Sequence, residues 1–274
     1  MAKKTSDRYE PDEDGLHREI VGTWSAEKHL RLRHYVDITR ATRRKYDRSG
    51  SSYIDLYCGS GRVRFKDGTD VRDGSPLVAA REAMRHDPFT QIHIGDKDAD
   101  NVGACAERLA RIGTSGVSSY VGLAGDVAER VVRALNPYGL HIAFLDPYSI
   151  GSLPFSVLQT LGQLKRMDLI MHVSEMDLQR NIVAMADDGT LDRFAPGWRQ
   201  SVDLKQRNNI AKHQLLQHWK ALLTAMGYQV SDNIERVTGL KNQPLYWLVL
   251  AAKHPLADKF WAHISHVEPQ GRLF

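Results

Sequence analysis

Tyr53-Ile-Asp-Leu-Tyr-Cys-Gly-Ser-Gly61 is a short apolar run that stops at two glycines separated by one residue. Such a run reads as a buried strand that ends in a sharp turn. Glycines there permit positive φ and let a ligand approach the backbone with no Cβ in the way. In an open α/β sheet the carboxyl end of a strand is where ligands bind. The turn is therefore the first place to look for a site.

Downstream, Gly74-Ser75-Pro76-Leu77 carries a capping serine and a first-turn proline, which predicts a helix to about His86. Strands are expected at Gln91–Gly95, Ser118–Leu123, His141–Leu145 and Met167–Val173. Helices at about 98–112, 127–135, 153–164 and 178–185 alternate with them. A longer helix over 204–226 leads into two β-rich runs, Tyr228–Val237 and Leu245–Ala252, and a last helix at about 256–266. The short connection makes those two strands antiparallel neighbours. The expected fold is α/β: a doubly wound, mostly parallel seven-stranded sheet, Rossmann-like, with an N-terminal helix and a C-terminal antiparallel β-hairpin. The hairpin resembles the sheet of class I S-adenosylmethionine (SAM) methyltransferases.

Upstream, residues 1–15 are charged and without apolar periodicity, so they are expected to form a mobile tail. Residues 16–274 are expected to be one domain, with a helical extension over 16–50 and the α/β core over 51–274. From Trp24 to about Tyr46, Leu32, Tyr35, Val36 and Thr39 recur at helical spacing among Arg31, Arg33, Arg40, Arg43 and Arg44. Residues 62–73 read as polar and irregular, a candidate lid.

Acids stand at successive strand ends. Asp55 opens the glycine turn and is expected to order it and to face the sulfonium or amino group of SAM, with Cys58, Gly59 and Gly61 forming the methionine-side wall. Asp96, beside Lys97, is the candidate acceptor of the ribose hydroxyls, while Asp98 caps the next helix. Asp126 is the candidate for the adenine amino group, or an N-cap. In Phe144-Leu-Asp146-Pro147-Tyr148, acid, proline and aromatic resemble the Asp-Pro-Pro-Tyr motif of amino-methylating enzymes, although the second proline is missing. That likeness implies that Asp146 and the Pro147 carbonyl hold a target nitrogen and that Tyr148 stacks on a planar acceptor. His172 and Glu175 are weaker candidates, read first as network or cap residues.

Several motifs together resemble the three-Cys-motif partner family, TcmP. They are Trp24-Ser-Ala-Glu-Lys28-His29, the run from Tyr53 to Arg62, Gly74-Ser-Pro-Leu77, Phe144-Leu-Asp-Pro-Tyr148, Asp168-Leu-Ile, Arg180-Asn181 and Tyr246-Trp-Leu-Val-Leu. The family form of the turn is closer to Phe-Ala-Gly-Pro-Gly; here both glycines are kept. The resemblance implies a methyltransferase-like fold and a radical-SAM-like partner bearing three clustered cysteines.

Composition narrows the classes. Only two cysteines occur, Cys58 and Cys105, in no metal-binding spacing. No apolar stretch of membrane-spanning length is present, so a soluble cytoplasmic protein is expected without a membrane partner. Net charge is +4 and permits nucleic-acid contact through the arginine-rich helix without requiring it. An NAD enzyme would need a third glycine where Arg64 stands. The leading expectation is methyl transfer from SAM to nitrogen; the alternative is an inactive SAM-fold partner protein that binds the three-Cys-motif protein or nucleic acid.

Overall fold

The computed structural model describes residues 8–22, 25–46, 48–66, 68–231, 235–238 and 244–265. Contacts divide the chain into two compact units, the first comprising residues 8–123 and 139–144 and the second 124–138 and 145–265 among those described.

The first unit opens on two strands, β1 (Tyr9–Pro11) and β2 (His17–Val21), joined at Gly15 with φ +82°. Helix α1 (Ser25–Ile38) buries Leu32, Tyr35 and Val36. It ends where the Thr39 hydroxyl donates back to the Tyr35 carbonyl at 2.6 Å, a local bond that competes with the helix, and α2 (Arg40–Arg44) follows. The expected single helix is thus two, and Trp24 lies outside the described residues. Next come β3 (Ser51–Asp55), buried throughout, then β4 (Arg62–Phe65), β5 (Val71–Asp73) and α3 (Ser75–Met84). Then follow β6 (Gln91–Asp96), α4 (Ala99–Arg111), β7 (Val117–Val121) and β8 (Leu140–Leu145).

Strand β3 pairs in parallel with β6 on one side and β8 on the other, and β6 pairs in parallel with β7. Within this unit the order is β8-β3-β6-β7. The βα alternation legible in the sequence therefore gives the expected α/β fold with parallel core strands. Asp55 stands beside Ile94 and Phe144 in register, so the ends of β3, β6 and β8 are level.

A second sheet was not foreseen. Its order is β1-β2-β4-β5, with β2 parallel to β4 through Glu19 opposite Val63. Residues 62–73, read as irregular, form the β4–β5 hairpin, and residues 8–15 of the expected tail belong to this sheet and its β1–β2 turn. The reason is ionic. Arg18 and Arg64 both meet Glu10, while Arg108 and Arg62 meet Asp12, so charges that looked solvated neutralise one another across strands.

The second unit contains α5 (Ala124–Ala134), α6 (Phe155–Leu161), β9 (Met167–Val173), α7 (Glu175–Asp187), α8 (Thr190–Phe194) and α9 (Asn208–Ala225). They are followed by β10 (Gln229–Val230), β11 (Glu235–Thr238), β12 (Pro244–Ala252) and α10 (Pro255–Ser265). Strand β12 lies antiparallel to β9, with Val249 opposite Met171, and carries β10 and β11 antiparallel as well. The expected antiparallel closing hairpin is present, but its first strand is two pieces, β10 and β11. Residues 232–234 and most of the connection lie outside the described residues. Phe194 stacks on Trp219 at 5.5 Å in this unit's core.

Candidate ligand site at the glycine turn

Strand β3 delivers Asp55 fully buried, a placement a carboxylate tolerates only with donors on its oxygens. It has them. The Tyr57 N–H donates to Oδ1 at 3.0 Å, and the Tyr53 and Ser75 hydroxyls donate to Oδ2 at 3.1 and 2.7 Å. Ser75, expected to cap α3, spends its hydroxyl on Asp55 instead, and Gly74 occupies the cap position. Asp55 thereby ties the turn to the start of α3. Its enclosure makes it a holder of the loop.

Asp96 is set at the end of the neighbouring strand. Its Oδ2 accepts the Gly59 N–H at 3.2 Å and its Oδ1 accepts the Asp98 N–H at 2.9 Å. The Cys58 N–H meets the Gly95 carbonyl at 2.9 Å, so two bonds stitch the turn to β6. Each Asp96 oxygen keeps lone-pair capacity for a further donor, and the side chain is half-buried. Asp98 caps α4 as expected, accepting from the Asp100 N–H at 2.9 Å.

The two glycines do different work. Gly61 has φ +84°, and a Cβ there would lie 2.8 Å from Leu77 Cδ1 and 3.3 Å from Cys105 Sγ. It is glycine because α3 and α4 pack on it. Gly59 has φ +54°, and among the described residues beyond its chain neighbours the one atom near a Cβ placed there is Glu19 Oε2 at 3.4 Å. Its face is the one a ligand can approach. Cys58 is buried, with its thiol pushed well above the usual range by a hydrogen bond with Cys105 and by burial. Lys97 is exposed beside Asp96.

The residues missed by sequence reasoning belong to the hairpin above this turn and to the face of α4 that holds it. Tyr9 stands opposite Glu19 across β1 and β2, and its hydroxyl accepts from Asn101 Nδ2 at 3.0 Å. Asn101 Oδ1 meets His17 Nε2 at 2.8 Å. Arg108, almost completely buried, bonds Asp14, the His17 carbonyl and the Ser60 carbonyl. The usable signal was the apolar and β-branched end of His17-Arg-Glu-Ile-Val21, which the charged flanks concealed. A nearby cavity of about 300 Å³ is lined by Asp14, Arg62, Asp73, Arg81, Arg108 and Arg111. Its guanidiniums meet Asp12, Asp73, Asp14 and Glu107, so it is an ion-pair layer under the hairpin.

The remaining candidates belong to the second unit. Asp126 is exposed in the first turn of α5, which begins earlier than expected, so it is no N-cap. After β8 the chain gives Asp146 half-buried, Pro147 buried and Tyr148 77% exposed. This loop is anchored where the Ile150 N–H donates to Asp177 Oδ2 at 2.9 Å on α7, itself capped by Ser174. His172 Nδ1 lies 3.6 Å from Asp146 Oδ1, and its ring sits 4.5 Å from that of Tyr246. Glu175, in contrast, is spent on a buried ion pair with Lys212 at 2.9 Å.

The arginine-rich helix is in large part structural. Arg43 is buried against Phe89, its guanidinium held by the Asp87 carbonyl and Thr39, and burial lowers it to about 10. Arg44 pairs with Asp87 and Arg40 with Asp37.

No known family model matches the chain, and no curated protein matches it in sequence. Several solved structures are similar to it. An O-methyltransferase from Bacillus cereus in complex with SAH has a TM-score of 0.50 at 10% identity, covering 82% of this chain and 80% of its own. The O-methyltransferase TomG from Streptomyces achromogenes, in complex with SAM, gives 0.46 at 14% identity over 82% of this chain and 79% of its own. TYW2 from M. jannaschii, in complex with AdoMet, gives 0.46 at 10% identity over 92% and 87%. The Bacillus cereus likeness shows a shared α/β fold.

Proposed function

We propose that the chain is a SAM-dependent methyltransferase whose acceptor is an amino nitrogen on a planar molecule. The observation that carries this is Asp96 at the end of β6 bonded to the Gly59 N–H at the end of β3. A half-buried carboxylate with spare acceptor capacity beside an open glycine fits the vicinal hydroxyls of an adenosyl ribose. The Bacillus cereus structure of shared fold was solved with SAH, which favours this ligand over a dinucleotide.

Bound SAM would supply an electrophilic methyl on its sulfonium. The chain's own residues bind and orient. Asp96 accepts from the ribose, the Gly59 face lets the ligand lie close to the backbone, and Asp55 holds the loop still. In the second unit, Asp146 and the Pro147 carbonyl accept from the acceptor's amino group and Tyr148, largely exposed, stacks on its ring. His172 lies beside that carboxylate, 3.6 Å from it. Holding the nucleophile in line with the methyl supplies much of the acceleration in methyl transfer.

Partnership with a three-Cys-motif protein is a proposal that rests on the motif resemblance alone. A nucleic-acid acceptor is proposed through Tyr148 rather than through the N-terminal helix, whose arginines are largely engaged. No helix among the described residues is long and apolar enough to cross a membrane.

Isothermal titration tests the ligand. Wild type should bind SAM and Asp96→Ala should bind at least ~10-fold more weakly, the value of one charge-assisted hydrogen bond. Equal affinity in the two proteins, or no binding by wild type, overturns the reading. Incubation with labelled SAM and separate RNA, DNA and protein fractions then names the acceptor class.

A further inference from the structure

The hairpin over the glycine turn carries a carboxylate in an unusual place. Among the described residues, and apart from its chain neighbours, Glu19 Oε2 is the only atom within 4 Å of a Cβ built on Gly59, at 3.4 Å, so its charge sits over the face of the ligand site. Arg8 meets the other oxygen, Oε1, through Nε at 2.7 Å and a terminal nitrogen at 2.6 Å. That turns Oε2 toward Gly59. Glu19 and Arg8 side chains are 18% and 38% exposed, so both reach solvent from this position. Tyr9, opposite Glu19, has its phenol raised above the ordinary value first by burial and further by the Glu19 and Asp96 carboxylates. Gly59 thus lies between two acids, one already bonded to its N–H.

We propose that Glu19 and Arg8 form the subsite for the amino-acid end of the adenosyl ligand, Glu19 accepting from its α-ammonium and Arg8 donating to its α-carboxylate. This rests on the SAM reading above. The pair matches a zwitterion in charge and order: an acid and a guanidinium side by side, each able to exchange its partner for the opposite group of the ligand. Asp96, on the other side of Gly59, is left to the ribose. The hairpin then selects ligands that carry an amino-acid tail, and the strands that precede the core sheet are part of the binding machinery.

Titration with three probes separates this from its rivals: S-adenosylhomocysteine (SAH), decarboxylated SAM, which keeps the ammonium and lacks the carboxylate, and 5′-methylthioadenosine, which lacks both. Wild type should bind SAH at least ~10-fold more tightly than methylthioadenosine. Glu19→Gln should weaken SAH and decarboxylated SAM by roughly 10-fold or more and leave methylthioadenosine unchanged, which also reports that the site is folded. Arg8→Gln should weaken SAH alone. If both variants bind SAH as wild type does, or if all three probes weaken together, the subsite is wrong while SAM binding stands. If wild type binds none of the three, the cofactor reading fails and this one with it.

Discussion

Arg108 grips Asp14 with a two-pronged bond, Nε to Oδ2 at 2.7 Å and a terminal nitrogen to Oδ1 at 2.9 Å. The same guanidinium reaches Asp12 at 3.2 Å and two backbone carbonyls, so one side chain from α4 fastens the β1–β2 hairpin to the core. Arg108→Met would leave the buried Asp12 carboxylate with less compensation. A destabilisation of about 3–5 kcal/mol is expected, read by urea denaturation, with faster amide exchange across residues 17–21. Arg133→Met, in an exposed helix pair with Glu129, should change stability by no more than about 0.5 kcal/mol.

Gly61→Ala tests the packing role of the second glycine. The new Cβ meets Leu77 at 2.8 Å on a backbone with φ +84°. Backbone strain of about 1–3 kcal/mol is expected, together with weaker SAM binding because the turn must shift. Gly125→Ala, with nothing among the described residues within 4 Å of its Cβ beyond its chain neighbours and its own helix backbone, is the control and should change stability by less than about 1 kcal/mol.

His93 makes stability depend on pH. Burial, and then the neighbouring His141, holds its folded value down at about 4, and its Nε2 has no partner among the described residues. An unfolded chain takes up the proton near 6.5, so between those values it binds more protons than the fold does. The contribution is complete above 6.5 and is lost as pH falls toward 4. Urea midpoints should decline from pH 7 to pH 5, and less steeply in His93→Gln. Glu10, held at about 2 mainly by Arg64, and Asp14, held there mainly by Arg108, add their losses only below about 4.5, where ordinary carboxylates titrate.

The Lys212–Glu175 pair ties α9 to α7 with side chains only 4% and 2% exposed. Lys212→Met strands a buried carboxylate and should cost about 3–5 kcal/mol by denaturant titration. The double change with Glu175→Leu should recover most of that loss, since two apolar groups of similar size need no partner.

Parallel pairing of β3, β6, β7 and β8 was legible because the strands, apart from the polar middle of β7, are apolar runs bounded by glycine or charge, with a helix-period segment in the chain after them. The strand-end positions of Asp96, Gly59 and Gly61 were legible for the same reason: strand ends can be located once strands are. The sheet built from 8–21 and 62–73 was not. Its strands are short and charged, and what holds them is ion pairing between residues up to 96 positions apart, as in Arg108 with Asp12, which no local period encodes. Glu19 and Tyr9 were missed with it. Ser75 went astray in another way: capping chemistry and a buried hydrogen bond compete for one hydroxyl, and only the placement of Asp55 decides.

Strand β2 runs alongside β4 with two helices and β3 between them in the chain, so Glu19 finds Val63 across 44 positions. That pairing alone does not offset the entropy of closing the intervening loop, so the strands that roof the glycine turn depend on the Arg108 and Arg64 ion pairs that hold them.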